Sequence, residues 1–400
     1  SIATDSDAAN GPTEGVIAAG YASDATTATA LVNALGGFSI ETKNVAPSTV
    51  FMVFHIDGGK YNKVEYSRSV DGTVVETPAA SAAQTKAEGT FSAQNAYYMF
   101  TVQKDVDTAT NADSIAQEWS AEKTYTLTVT LSGPNNASKV ITADVKGAVV
   151  TLYQDVTVSS SKTTSIDVVV DNGKTESFTS VVPVVSDLEI RLNGNDLTFD
   201  KTSAAFFVGD LDNENTVTLK IVGNQSEQKD KLIVGYAGAA VFVASQGAFE
   251  IDNIDFDATG SAIFPYGNAS SVVVSESDVT AGGYGVATNN AYSNNSKLNI
   301  DIISSKVVTK EVNGDSTAVL INISGATLNI KENSIIEGQR QTLIVRAGIA
   351  TVEKSEINFG NSFKPYGTGA DSYYIGTEKD WADGNRITEG AIVVGNKTSS

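Results

Sequence analysis

The chain has 400 residues with no cysteine, one histidine, and 47 acidic against 27 basic residues, for a formal net charge of -20. That length accommodates one large domain or two to three ordinary ones, each with a sizeable core. The missing cysteine removes disulfides, thiolate nucleophiles and sulfur-ligated metals, and the acidic balance opposes nucleic acid or an anionic membrane, since either needs basic groups opposite phosphate.

Charged residues are only 18% of the chain, while Ser, Thr, Asn, Gly and Ala are abundant, the texture of a secreted or surface β protein. Ser1 in the place of Met fits a removed signal segment, and a lipid anchor upstream of Ser1 is compatible with the same reading. No apolar run approaches the roughly 20 residues that cross a bilayer as a helix.

Residues 1–14, SIATDSDAANGPTE, are small and polar and read as a flexible leader. TATALVNAL, residues 27–35, has the composition of a short helix. TVFMVFHI (49–56) and KVEYSRSV (63–70) are rich in β-branched and aromatic residues and are separated by a turn-forming HIDGGKY. The alanine-rich stretch at 77–90 reads as a linker or long loop. Beyond it AYYMFTVQ, KTYTLTVTLSG, KVITADVKG, AVVTLYQDVTV and TSIDVVVDNG alternate as half-buried strands, with Tyr125, Leu127, Val129 and Leu131 making the clearest face. Residues 15–185 therefore read as one or two antiparallel β-sandwich modules of immunoglobulin or fibronectin type.

From about residue 187 short apolar runs alternate with Gly, Asn and Ser, and one phrase recurs: AFEIDNIDFDATG, SSVVVSESDVTAG, GATLNIKENSIIEG and GIATVEKSEINFG. Its apolar pair falls at Ile251 and Phe256, Val274 and Val279, Ile330 and Ile335, and Val352 and Ile357, always five residues apart. In LNIDIISSKVV, Ile300 takes the first place and Val307 the second, after two extra residues. A second run, AAVFVAS, SAIFPYG, YGVATNN, TAVLINI or QTLIVRA, precedes each phrase. Each unit is thus strand, turn, strand, polar corner, strand, which is the pattern of stacked coils that share a core none can form alone. Asn253 with Ile254, Glu276 with Ser277, and Asn333 with Ser334 occupy the corner.

These coils resemble the right-handed parallel β-helix of the pectin-lyase-like superfamily, over roughly residues 187–370, with a carboxy-terminal cap extending to residue 400. The two-part layout is similar to that of secreted or surface proteins of Bacteroides-type gut bacteria. The resemblance implies an all-β chain, a sandwich-like amino-terminal region followed by a single-stranded β-helix, and supplies the right-handedness. It also implies a lyase base, Arg or Lys, beside a calcium ion that neutralises a uronate carboxylate. Lys331, Arg340, Arg346 and Lys354, near Glu337, are the candidate bases, but no lyase signature or acidic calcium cluster accompanies them.

Other groupings read on their own chemistry. His55 as the sole histidine excludes a multi-histidine zinc site and leaves a Ser-His-Asp triad possible only through itself. Asp255 with Asp257, and Glu276 with Asp278, form carboxylate pairs of the kind glycosidases need, or else decorate outward strand faces. DLDNEN offers Asp210, Asp212, Asn213 and Glu214 as hard oxygen ligands for calcium, or as an ordinary polar turn. Tyr266 in FPYG, Tyr366 in KPYG, and Tyr284, Asn289 and Tyr292 combine aromatic rings with amides, suiting either sugar binding or local packing.

Three functions remain open on these grounds: a non-catalytic surface or secreted adhesion or glycan-binding protein, a polysaccharide lyase or glycoside hydrolase, and a structural spacer. Polysaccharide, as a microbial or host surface glycan, is the expected partner; possible calcium is the only cofactor expectation.

Overall fold

A computed structural model describes residues 13–35, 45, 47, 49–56, 60–61, 63–76, 96–103, 123–158, 163–169, 175–200, 203–210, 212, 214–266, 268–288, 297–310, 316–339, 341–359 and 390–394. The chain divides into two compact units, residues 1–160 with 189–197, and residues 161–188 with 198–400.

Among the described residues of the first unit, Glu189–Arg191 runs parallel to Val149–Thr151, and the pairings that follow are antiparallel. Strand Gly15–Ala22 lies between Val149–Leu152 and Thr49–Ile56, and the latter continues to Ala96–Gln103. A second sheet orders Thr73–Glu76, Lys63–Val70, Thr124–Ser132 and Ser138–Lys146. The two sheets share one apolar cluster, to which Val50, Met52, Phe54 and Ile56 contribute from one side and Tyr125, Leu127, Val129 and Leu131 from the other. Alternation explains the second set, whose intervening threonines are half-exposed. Strand Thr49–Ile56 is instead buried on both faces. Phe51, Val53 and His55 lie on its other side, where His55 is a core side chain 3% exposed. Helix Ala25–Leu35 packs on strand Gly15–Ala22. The Asp24 carboxylate caps it by accepting the Thr27 N–H at 2.7 Å.

The second unit repeats a turn of three strands. One face consists of Val217–Val222, Gly247–Asp252, Ser271–Ser275 and Asn299–Ile303, then residues 327–331 of strand Thr317–Lys331 and 349–352 of strand Gln341–Val352. The next runs through Asp230–Val234, Ile254–Ala258, Asp278–Ala281, Lys306–Thr309, Ile335–Gly338 and Glu356–Phe359. The third runs from Thr175–Val184 through Ala204–Val208, Ala239–Val243, Ser261–Pro265 and Val286–Ala287 to the first halves of the two long strands and Gly390–Val394. All of these pairings are parallel, so successive three-strand turns stack as coils. Thr164–Val169 joins as an antiparallel partner of Thr175–Val184. These two strands thus pair within the coil unit, although their alternation alone reads as the end of the amino-terminal region. Among the described residues no helix is long and apolar enough to cross a membrane.

Inward residues form columns across the coils. On the first face Ile251, Val274, Ile302, Ile330 and Val352 are in register, and on the second Phe256, Val279, Val307, Ile336 and Ile357. All but the last members are fully buried, and burial of each such side chain contributes about 1.5–3 kcal/mol. Two sequence assignments change. Ile302, not Ile300, stands in the Ile251 column; Ile300 is one inward step earlier, opposite Val272 and Leu328. Ile302 and Val307 keep the spacing of five with no insertion. Ile336, not Ile335, completes the pair with Ile330, because the corner there holds two left-handed residues, Glu332 and Asn333, where neighbouring corners hold one. The extra residue turns Ile335 outward, opposite Lys306 and Glu356.

The corner between the first two faces is a column of side chains at Ile254, Ser277, Ser305, Ser334 and Ser355. Each serine Oγ accepts the backbone N–H of the preceding member at 3.0–3.2 Å. The same hydroxyl donates to a carbonyl two or three residues earlier in its own coil, as Ser305 does to Ile303 at 2.6 Å. The residue before each corner member is left-handed: Asn253, Glu276, Ser304, Asn333 and Lys354. Glycine serves where the second face turns toward the third: a Cβ on Gly260 would lie 2.2 Å from the Gly238 carbonyl oxygen of the coil before.

Candidate functional site

Because the inward columns fix the strands, outward residues of successive coils are brought side by side. On the first face this juxtaposes Asn299 with Thr327 and Asp301 with Asn329, at the spacing of paired strands, about 4.8 Å. The four side chains bond to one another. Thr327 Oγ1 donates to Asn299 Oδ1 at 2.7 Å, and Asn329 Nδ2 donates to Asp301 Oδ1 at 2.9 Å and to Asn299 Oδ1 at 3.4 Å. Asn299 Nδ2 donates to Asp301 Oδ2. Lys331, at the end of the same strand, brings Nζ to 4.0 Å from Asp301 Oδ1. Thr327 pairs on its other side with Ile349, which is 67% exposed. The result is an ordered polar array on a strand surface with an exposed aliphatic side chain beside it.

Lys331 was legible as a candidate in the sequence; Asn299, Asp301, Thr327 and Asn329 were not singled out. Their signal lay in the alternation of LNIDI and TLNIK, whose polar positions fall on one face once the two segments are set in register.

The second face carries charge. Lys231, Asp255, Asp278 and Lys306 follow one another across four coils, and Asp257 stands beside Asp255 on the same strand face. Lys229 Nζ is 3.0 Å from Asp278, and Lys310 Nζ is 3.6 Å from Asp257. Burial pushes the Asp255 carboxyl above its usual range, helped by the Asp278 charge and to a lesser degree by Asp257, while Lys231 and Lys229 oppose the shift. Asp255 and Asp278 thus form the carboxylate pair. Glu276 does not share it, since it sits with φ 47° in the left-handed corner position rather than on the strand.

The remaining sequence candidates disperse around the stack. Glu337 is on the second face, one strand beyond Val308. Arg346 is at the bend between the two halves of strand Gln341–Val352, so Lys331, Glu337 and Arg346 belong to different parts of the coil and form no common cleft. Lys354 is a left-handed corner residue. Tyr266 is 6% exposed and packs against Phe178, Phe242 and Phe264 with ring centroids 5.2, 6.3 and 6.0 Å away, so it is a core ring and not an open platform. Tyr284 borders a different apolar group, Ala287, Leu320 and Ile344. Asn289, Tyr292, Arg340 and Tyr366 lie outside the described residues, as does Asn213.

In the DLDNEN loop, Asp210 Oδ1 accepts the Asp212 N–H at 2.9 Å, and Oδ2 accepts the Asn215 N–H at 2.9 Å and its side-chain amide at 3.2 Å. Slight burial works to raise the Asp210 carboxyl, but these bonds together outweigh it and hold the group below its usual range. Asp210 organises its own loop, with Asp212 and Glu214 exposed. Among the described residues no three His, Asp or Glu side chains gather as a metal site.

No family model and no curated protein matches the chain. It is similar to two crystal structures of a pectate lyase from Pectobacterium carotovorum, at 12% and 13% identity over 81% and 76% of this chain and 92% and 88% of theirs. The TM-scores are 0.22 and 0.21, a likeness that carries no argument; the coil rests on the strand registers.

Proposed function

We propose that the chain is a right-handed parallel β-helix protein, secreted or displayed at a bacterial surface, that binds polysaccharide without cleaving it. The observation that carries this reading is the array of Asn299, Asp301, Thr327 and Asn329, an ordered set of amide, carboxylate and hydroxyl groups beside exposed Ile349. Carbohydrate offers the matching chemistry, hydroxyls on its edges and C–H groups on its faces. A glycan array combined with assays for new reducing ends and unsaturated uronates tests the reading. Binding without turnover supports it, turnover of any polysaccharide overturns its non-catalytic part, and no binding across a broad panel leaves only a structural spacer.

One observation favours a second reading, a glycoside hydrolase on the second face. Asp255 and Asp278 are adjacent across paired strands at a spacing of about 4.8 Å, near the roughly 5–5.5 Å of retaining enzymes. Asp255 is also shifted toward the protonated form a general acid requires. Loss of measured hydrolysis in Asp255→Asn and Asp278→Asn, with binding on the first face intact, is the result that would select it.

A further inference from the structure

We infer that the first-face site takes an uncharged polysaccharide and discriminates against polyuronate; this rests on the glycan-binding reading above. The first element is the hydrogen-bonding capacity the array leaves available. Both Asn329 Nδ2 hydrogens and both Asn299 Oδ1 lone pairs are engaged within it. One N–H of Asn299, the Asn329 Oδ1 acceptor, a Thr327 oxygen lone pair and unused lone pairs of the Asp301 carboxylate remain to face a ligand. That mixture of donors and acceptors suits hydroxyl groups, each of which both donates and accepts. A uronate carboxylate accepts only, and apart from the Asn299 N–H the available groups are acceptors.

The second element is charge. Lys331 is the cation of the array, and its Nζ is directed at Asp301, so the pair contributes no net positive charge. Upstream on the same outward surface Glu250 and Asp252 stand with Lys220. The adjoining corner adds Glu276 and Glu332 against Lys354, and the whole chain carries -20. A polyanion approaching this surface is repelled, whereas a neutral chain meets no such barrier. The third element is Ile349, which extends the Asn299–Thr327 row with exposed aliphatic surface. An apolar neighbour suits the C–H face of a neutral pyranose and offers nothing to a carboxylate.

Affinity electrophoresis of the full chain through gels containing barley β-glucan, galactomannan or polygalacturonate tests the inference. Wild type is expected to be retarded by a neutral polysaccharide and to pass polygalacturonate unretarded at low salt. Asn299→Ala with Thr327→Ala should lose at least about tenfold of that affinity, with circular dichroism reporting whether the fold is kept. Asp301→Asn releases Lys331 from its carboxylate and should acquire retardation by polygalacturonate that disappears in about 0.5 M NaCl, because exposed charge interactions are screened. Wild-type retardation by polygalacturonate, abolished by the double substitution, would overturn the charge inference while upholding glycan binding at this site. Neutral retardation that the folded double variant retains would overturn the site. Absence of retardation in every gel would overturn the glycan-binding reading itself.

Discussion

Ser305→Ala isolates one rung of the corner column. Ser305 is 4% exposed, and its Oγ accepts the Ser277 N–H at 3.0 Å. It donates to the Ile303 carbonyl at 2.6 Å and lies 3.2 Å from the Val274 carbonyl. The substitution removes both roles, but their consequences differ. The Ile303 carbonyl keeps the Glu276 N–H as a donor at 3.0 Å, whereas the Ser277 N–H, in a residue that is fully buried, loses the acceptor that the corner provides. An orphaned buried donor costs about 1–3 kcal/mol, which for a unit of roughly 200 residues lowers Tm by about 2–12 °C. Ser355→Ala at the end of the column is the comparison: Ser355 is partly exposed, water can replace its hydroxyl, and a smaller loss is expected. Differential scanning calorimetry measures both, and hydrogen exchange locates the change at the Ser277 amide. Unchanged Tm and unchanged exchange at Ser277 in Ser305→Ala would show that the hydroxyl column does not hold the corners together.

Further substitutions test the register and the two displaced carboxylates. Ile336→Asp and Ile330→Asp should each lose more than about 4 kcal/mol, because an unpaired charge enters a dry column; Ile335→Asp, on the outward side, should be tolerated, and equal losses at residues 335 and 336 would contradict the register. Asp255, with its carboxyl raised in the folded state, opposes folding once ionised: the penalty is absent below the unfolded carboxylate range and grows as pH rises through and above it. Asp255→Asn should therefore raise Tm at pH 7 and lose that advantage toward pH 4; an advantage independent of pH would refute the assignment. Asp210 has the opposite sign, since its lowered carboxyl contributes stability above the unfolded carboxylate range that is lost as pH falls through the folded value. Asp210→Ala should loosen the 210–215 loop at neutral pH, seen as faster amide exchange at Asp212 and Asn215, and have little effect in strong acid.

The coils were readable because inward positions repeat in residue type and spacing, so Ile251, Val274, Ile330 and Val352 align without structural knowledge. Two slips differ in kind. Ile300 and Ile302 both face inward, and the five-residue spacing to Val307 was the signal that Ile302 stands opposite Val274. At the following corner one additional left-handed residue exchanges the faces of Ile335 and Ile336, and backbone conformation of that kind is not written in KENSII. Tyr266 illustrates a different loss: Phe178, 88 positions earlier, occupies the space that a ligand ring would need. The pairing of Asp255 with Asp278 was accessible from coil register, but the corner role of Glu276 depended on where the strand begins.

Stability alone does not account for the Asn299–Asp301–Thr327–Asn329 array. The strands bearing it are already held by the parallel ladder and by Ile300, Ile302, Leu328 and Ile330, all fully buried. Hydrogen bonds among solvent-accessible side chains exchange with water and contribute less than the about 0.5–1.5 kcal/mol of a typical protein hydrogen bond, and the ion pair of Lys331 with Asp301 is of the same minor class. The preceding coil folds with Ser271, Val273 and Ser275 at the equivalent outward positions, so the scaffold does not require amides there. Two properties should therefore separate experimentally. Asn299→Ala with Thr327→Ala should change Tm by less than about 2 °C while removing polysaccharide binding. A fall in Tm comparable to that of Ser305→Ala, with binding unaltered, would return the array to the scaffold and leave the first face without a function of its own.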